Sequence, residues 1–120
     1  MLGVCTEAGV TVYGSIQCPY YLKSALIAAL GWPAERVRVV QLPTGGGFGG
    51  KEDYPSIIGV HAALAALKTG KPVQLVLDRP EDIMCTTKRH PAQIKIRSYF
   101  DAQNNLTARA IEIKLDGGAY

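Results

Sequence analysis

The chain has 120 residues and a mass of 12.9 kDa, with 48% hydrophobic and 19% charged residues. That composition fills one core, and it excludes both wholesale disorder and a second full domain. Thirteen basic against ten acidic residues leave a net charge of +3, too small an excess to argue for nucleic acid.

The predicted elements follow in chain order. Residues 10–13, Val-Thr-Val-Tyr, predict a strand, and residues 14–17 a tight connection. Pro19 suits the first turn of a helix, where its missing N–H costs nothing. Leu22, Ala25, Leu26, Ala29 and Leu30 then recur at helical spacing. Gly31 supplies a left-handed stop and Pro33 blocks continuation. Residues 36–40 alternate and predict a second strand. A glycine-rich loop covers residues 44–50. Pro55 opens a second helix with Ile57, Val60, Leu64 and Leu67 on one face, ended by Gly70 and Pro72. Residues 73–77 predict a short apolar strand, and residues 78–91 a polar, irregular stretch. Residues 94–99 alternate, residues 101–105 turn, and residues 107–115 alternate again, which closes a hairpin. Residues 116–120 predict a strand running into a turn. The order is strand, helix, strand, helix, strand, hairpin. It predicts a single α+β domain over residues 1–120, a mixed β-sheet with two helices packed on it.

No apolar run approaches the roughly 20 residues of a membrane span. The first five residues carry no basic segment before an apolar one, so no signal peptide is expected. Cys5, Cys18 and Cys85 are an odd, widely spaced set, which favours reduced thiols in a cytoplasmic setting. Residues 1–34 hold only two ionisable side chains of Asp, Glu, Lys or Arg type, Glu7 and Lys23. Such a neutral stretch needs a cover, its own core or a larger partner, and predicts exposed apolar surface when the chain is isolated.

The informative feature is Gly45-Gly46-Gly47-Phe48-Gly49-Gly50-Lys51-Glu52-Asp53. Glycines around one aromatic let backbone approach a ligand closely, and a loop between strand and helix can direct N–H groups at an anion. Two nucleotide patterns fit loosely. Gly45, Gly47 and Gly50 satisfy G-x-G-x-x-G, but residues 65–72 lack the acid expected about 20 residues on. Gly45, Gly50 and Lys51 satisfy G-x-x-x-x-G-K, but Glu52 stands where a phosphate loop needs a hydroxyl for magnesium. A small phosphate- or nucleotide-binding module remains the alternative reading. A loop without a ligand is the bland one, opposed by the folding entropy of so much glycine.

The loop through Glu52 resembles the molybdopterin-domain loop of the xanthine dehydrogenase and aldehyde oxidase family. Ser15-Ile16-Gln17, Ala29-Leu30-Gly31-Trp32-Pro33 and Leu67-Lys68-Thr69-Gly70-Lys71-Pro72-Val73 agree with it in order and spacing. So do Leu77-Asp78-Arg79-Pro80-Glu81-Asp82-Ile83-Met84, Thr87-Lys88-Arg89-His90-Pro91 and Asp116-Gly117-Gly118-Ala119-Tyr120. The resemblance implies a molybdenum hydroxylase that oxidises N-heterocycles, purines above all, or aldehydes, with water as oxygen source. It implies a molybdenum–molybdopterin cofactor here, and iron–sulfur clusters and FAD on other domains or subunits.

By the same resemblance, Gln17 corresponds to the glutamine whose amide hydrogen-bonds an oxygen on molybdenum. Gly47, Phe48 and Gly49 correspond to loop residues at the cofactor, with Gln17 and Phe48 beside the metal and not bonded to it. Glu52 corresponds to a substrate-pocket glutamate of purine-oxidising members. These residue types suit those tasks. An amide donates without titrating, glycine-loop N–H groups stabilise negative charge, and an enclosed carboxylate can protonate and bond a ring nitrogen.

Each role has a structural counterpart. Gln17 can satisfy backbone at the start of its helix. Phe48 can anchor the loop. Glu52 and Asp53 can favour the next helix's N-terminus. Cys18 reads as a small buried residue and not as a ligand, and His61 as a packed or surface histidine. Lys88-Arg89-His90 reads as a solvated turn, a contact with another domain, or a partner for cofactor phosphate.

The family's base glutamate, pocket arginine and most pterin contacts have no counterpart here, so no catalytic residue is assigned. The expectation is a fragment of a larger molybdopterin-binding domain. Its partners are the remainder of the molybdenum subunit, the iron–sulfur and flavin domains, and a small heterocyclic or aldehyde substrate. Alone, it is expected neither to turn over substrate nor to hold molybdopterin tightly.

Overall fold

In the first part of the chain, β1 (Leu2–Thr6) and β2 (Gly9–Gly14) form an antiparallel pair, and β3 (Val37–Gln41) joins β2 in parallel. The computed structural model describes residues 1–118. It divides into two compact units, Met1–Lys88 and Arg89–Tyr120.

The first unit is built on a mixed four-stranded sheet of order β3-β2-β1-β4, with β4 (Val73–Gln74) antiparallel to β1. Helices α1 (Pro19–Leu30) and α2 (Tyr54–Thr69) pack against it and against each other. Val10 and Val12 alternate inward on β2 and meet Ile16, Leu22, Leu26, Val37 and Ala63 in the core. Burying Leu22 or Leu26 contributes about 1.5–3 kcal/mol each.

The ends of α1 are encoded locally. Pro19 opens it, and Gly31 closes it at φ 64° with its N–H on the Ile27 carbonyl, 3.0 Å. Pro55 and Gly70 do the same for α2. The buried face of α2 is not the Ile57/Val60/Leu64/Leu67 face that the spacing singles out. It is the small-residue face of Gly59, Ala62, Ala63 and Ala66, while Ile57, Leu64 and Leu67 stay exposed. Small residues there let the backbones approach. A Cβ on Gly59 would lie 2.6 Å from Leu22 Cδ1, and one on Gly3 of β1 would lie 2.6 Å from the Ala62 carbonyl oxygen.

β1 is not expected from the sequence, because Leu-Gly-Val-Cys-Thr shows no polar alternation. It lies between β2 and β4, with Gly3 buried under α2, so tertiary packing creates it. The stretch 78–91 is also more regular than expected. Helix α3 (Arg79–Cys85) starts at a reciprocal capping box, in which Asp78 accepts from Glu81 N–H at 2.8 Å and Glu81 accepts from Asp78 N–H at 3.1 Å. The expected strand at 73–77 shortens to two residues. No helix among the described residues is long and apolar enough to cross a membrane.

The second unit is a long hairpin, β5 (Ala92–Phe100) against β6 (Leu106–Leu115), with a bulge at Tyr99/Phe100. Its turn is organised by Asp101, whose carboxylate accepts from the N–H groups of Gln103 and Asn105 and from the Asn105 amide. Those bonds to Asn105 hold the Asp101 carboxyl below the usual carboxylate range. Residues 116–118 form no strand. The rest of that expected strand, Ala119 and Tyr120, lies outside the described residues.

The neutral first third mostly builds the core: Val10, Val12, Ile16, Leu22 and Leu26 are all buried. Tyr20 and Tyr21 are its large exposed side chains, and much of the remaining exposed apolar surface lies on the hairpin.

Candidate functional site

The site forms where the β2–α1 connection meets the glycine loop. Ile16, fully buried, pins the connection to the core and leaves Gln17 beside the loop. The Gln17 N–H donates to the Lys51 carbonyl at 2.7 Å. Its side-chain Oε1 accepts from the N–H groups of Gly49 at 3.1 Å and Lys51 at 3.0 Å. A backbone N–H only donates, so this pair fixes which end of the amide is oxygen. The Nε2 group, with its two donors, is then directed away from that pair and makes no hydrogen bond among the described residues.

The loop is shaped to allow this contact. Gly50 N–H closes a turn on the Gly47 carbonyl at 2.8 Å. A Cβ on Gly47 would sit 2.3 Å from Gln17 Cδ and 2.4 Å from its Oε1, so only glycine leaves room for the glutamine. Phe48 and Gly49 both have positive φ, 50° and 84°. That conformation costs a non-glycine residue such as Phe48 about 1–2 kcal/mol. Phe48 is 78% exposed as a residue, so it is not buried as a core anchor.

A second set of contacts ties the base of the loop. Leu42 N–H donates to the Gly14 carbonyl at 2.8 Å. Ser15 Oγ donates to Thr44 Oγ1 at 3.1 Å, and Lys51 Nζ donates to Ser15 Oγ at 2.9 Å. Sequence reasoning did not single out Ser15, Thr44 and Lys51 as a clamp. Lys51 drew notice through the phosphate-loop pattern and as part of the resembling loop, whereas its ammonium is directed to a hydroxyl of the same chain.

Glu52 is half-buried in the turn leading to α2. It makes none of these contacts, and neither it nor Asp53 caps α2 through its side chain. A cavity of about 320 Å³ opens beside the loop, between Gly47, Gly50 and Lys51 on one side and Arg79, Ile83 and Thr86 on the other. Arg79 faces Asp82 at 3.6 Å, an exposed pair worth about 0–1 kcal/mol. Lys88 Nζ donates to the Asp82 and Thr86 carbonyls, so it caps the end of α3. The Cys85 thiol beside Tyr54 pushes its phenol above the usual range, while the thiol itself donates to the Glu81 carbonyl at 2.7 Å.

No three His, Cys, Asp or Glu side chains among the described residues converge on a metal position. Cys18 stands half-buried at the start of α1 without companions, and His61 is exposed on α2. What the described residues offer instead is the oriented Gln17 amide beside a glycine loop whose Gly49, Gly50 and Lys51 N–H groups are bonded within the chain. It fits a group that brings its own metal ligands and presents oxygen acceptors.

The first unit is a mixed sheet that carries an oriented glutamine against a glycine loop, with no metal ligand set of its own among the described residues. The molybdopterin cofactor-binding domain family matches residues 2–120, and the chain belongs to it. It is 39% identical over 114 residues to a probable xanthine dehydrogenase subunit of Bacillus subtilis (strain 168), covering 95% of this chain and 15% of that protein. It is 38% identical over 110 residues to an indole-3-acetaldehyde oxidase of Arabidopsis thaliana, covering 92% and 8%. It is 37% identical over 114 residues to the nicotinate dehydrogenase large molybdopterin subunit of Eubacterium barkeri, covering 95% and 26%. The crystal structure of a Cu,Mo-CO dehydrogenase shares the fold, with a TM-score of 0.67 at 23% identity over 93% of this chain and 14% of that one. The chain therefore spans between 8% and 26% of the length of each of these proteins.

Proposed function

We propose that the chain supplies the glutamine and glycine-loop side of the cofactor site in a molybdenum hydroxylase acting on purines or other N-heterocycles. The carrying observation is the Gln17 amide. Two backbone N–H groups hold its oxygen, so its NH₂ is presented as a non-titrating donor. Gly47, Phe48 and Gly49 form the adjoining wall, in which the Gly49 N–H is taken by Gln17 Oε1, so Gly49 acts by holding the amide and by its close backbone approach. Molybdopterin, when bound, supplies the two-electron redox chemistry, and the protein positions it. Glu52 is the candidate for holding a substrate ring nitrogen, and it is what favours a heterocycle over an aldehyde. The general base, iron–sulfur clusters and FAD belong to other segments or subunits, in keeping with the small share of its relatives that this chain spans.

Gln17→Glu in the full-length subunit tests this reading. The carboxylate still accepts from Gly49 and Lys51, so the loop keeps its shape, but the donor is gone. Turnover should fall about 10²–10³-fold, the scale for losing one positioned donor, with molybdenum content retained. Unchanged turnover at full molybdenum content would remove Gln17 from the site.

A further inference from the structure

The β5–β6 register sorts the hairpin's side chains into two unlike faces. Ile94 lies opposite Ile113, Ile96 opposite Ile111, and Ala92 opposite Leu115, all on one face. The four isoleucines and Leu115 are 56–64% exposed. The other face carries Gln93, Lys95 and Arg97 across from Lys114, Glu112 and Ala110. Facing β-branched pairs suit a covered sheet surface, and a two-stranded hairpin is marginal in water without a covering layer. A contiguous apolar face of this kind marks an interaction surface.

We infer that this isoleucine face is an internal docking surface, covered by an apolar layer from the remainder of the same molybdopterin subunit. The inference rests on the proposed role of the chain as one part of that subunit. The occupant follows from the relatives. In each, the matched segment is 8–26% of a longer chain, so most of the polypeptide lies outside it. A layer tethered to the hairpin acts at an effective concentration of about millimolar, which favours it over a second copy. The opposite face, with three cations and one carboxylate among its charged groups, remains toward water.

The test uses the full-length subunit and cysteine labelling read peptide by peptide. Residues 89–118 contain no cysteine, so Lys95→Cys, Ile96→Cys and Arg97→Cys each report alone. Positions 95 and 97 should label at least about tenfold faster than 96, as expected for a site that opens only by local unfolding. Hydroxyl-radical footprinting of the unsubstituted subunit gives the same reading without perturbing the fold: Ile94, Ile96, Ile111 and Ile113 should be protected. Equal labelling at 95, 96 and 97, with unprotected isoleucines, overturns the inference. Protection that is lost as the subunit is diluted to a monomer also overturns it, in favour of a second copy. A subunit that keeps the alternation but binds no molybdopterin supports the docking surface and refutes the functional reading alone.

Discussion

Replacing Gly47 by alanine is the sharpest test of the site's construction. The new methyl carbon would lie 2.3 Å from Gln17 Cδ, 2.4 Å from its Oε1 and 2.6 Å from its Cγ. Real carbon atoms do not approach so closely, and the atoms in the way belong to a flexible side chain. The glutamine must therefore swing out while the sheet and helices stay. Two hydrogen bonds are lost, from Gly49 and Lys51 to Oε1. At about 0.5–1.5 kcal/mol each, the loss is about 1–3 kcal/mol. For a unit of this size that is a drop of roughly 5–20 °C in Tm. Hydrogen exchange should accelerate most at the Gly49 and Lys51 amides, and in α1 by no more than the global loss of stability. Gly45→Ala is the control, because a Cβ there meets nothing within 4 Å. If both variants melt and exchange alike, Gln17 is not held by the loop as described. If Gly47→Ala costs stability but leaves turnover of the full-length subunit intact, the loop is scaffold and not site.

The remaining predictions follow from single contacts. Gly9→Ala should destabilise more than Gly59→Ala, since its Cβ meets the Arg36 backbone carbonyl, which cannot rotate away, while the Gly59 methyl meets only Leu22; the latter should cost about 1–3 kcal/mol by denaturant titration. Asp78→Ala should remove the capping box and cost about 0.5–2 kcal/mol, seen as faster exchange at Glu81. The lowered Asp101 carboxyl gives the hairpin turn a stability that is complete above the ordinary value of 3.8 and lost as pH falls through its depressed folded value; NMR shifts of Asn105 across that acid range should report it, and an Asp101→Asn variant should abolish the pH dependence.

The sequence by itself determined the features written over a few neighbouring residues. Pro19 and Gly31, then Pro55 and Gly70, set the helix ends, because a missing N–H and a left-handed φ act within one turn. Alternation at 94–99 and 107–115 around Asp101 set the hairpin. The motifs along the chain were enough to point to the family to which it belongs. Helix α3 was also legible in principle, since its capping box lies in Asp78-Arg79-Pro80-Glu81, but the charges and the proline there read as loop when the box is overlooked.

Other features were decided only by the tertiary structure. β1 exists because β2, β4 and α2 surround it, and its own five residues carry no period. The inward face of α2 is the alanine face because Leu22 and the β1 backbone come too close for larger side chains, a fact that helical spacing cannot contain. The orientation of Gln17 depends on N–H groups 32 and 34 residues away. Local pattern records interactions along one turn or one strand, whereas the direction of an amide is set by whichever donors the fold brings to it.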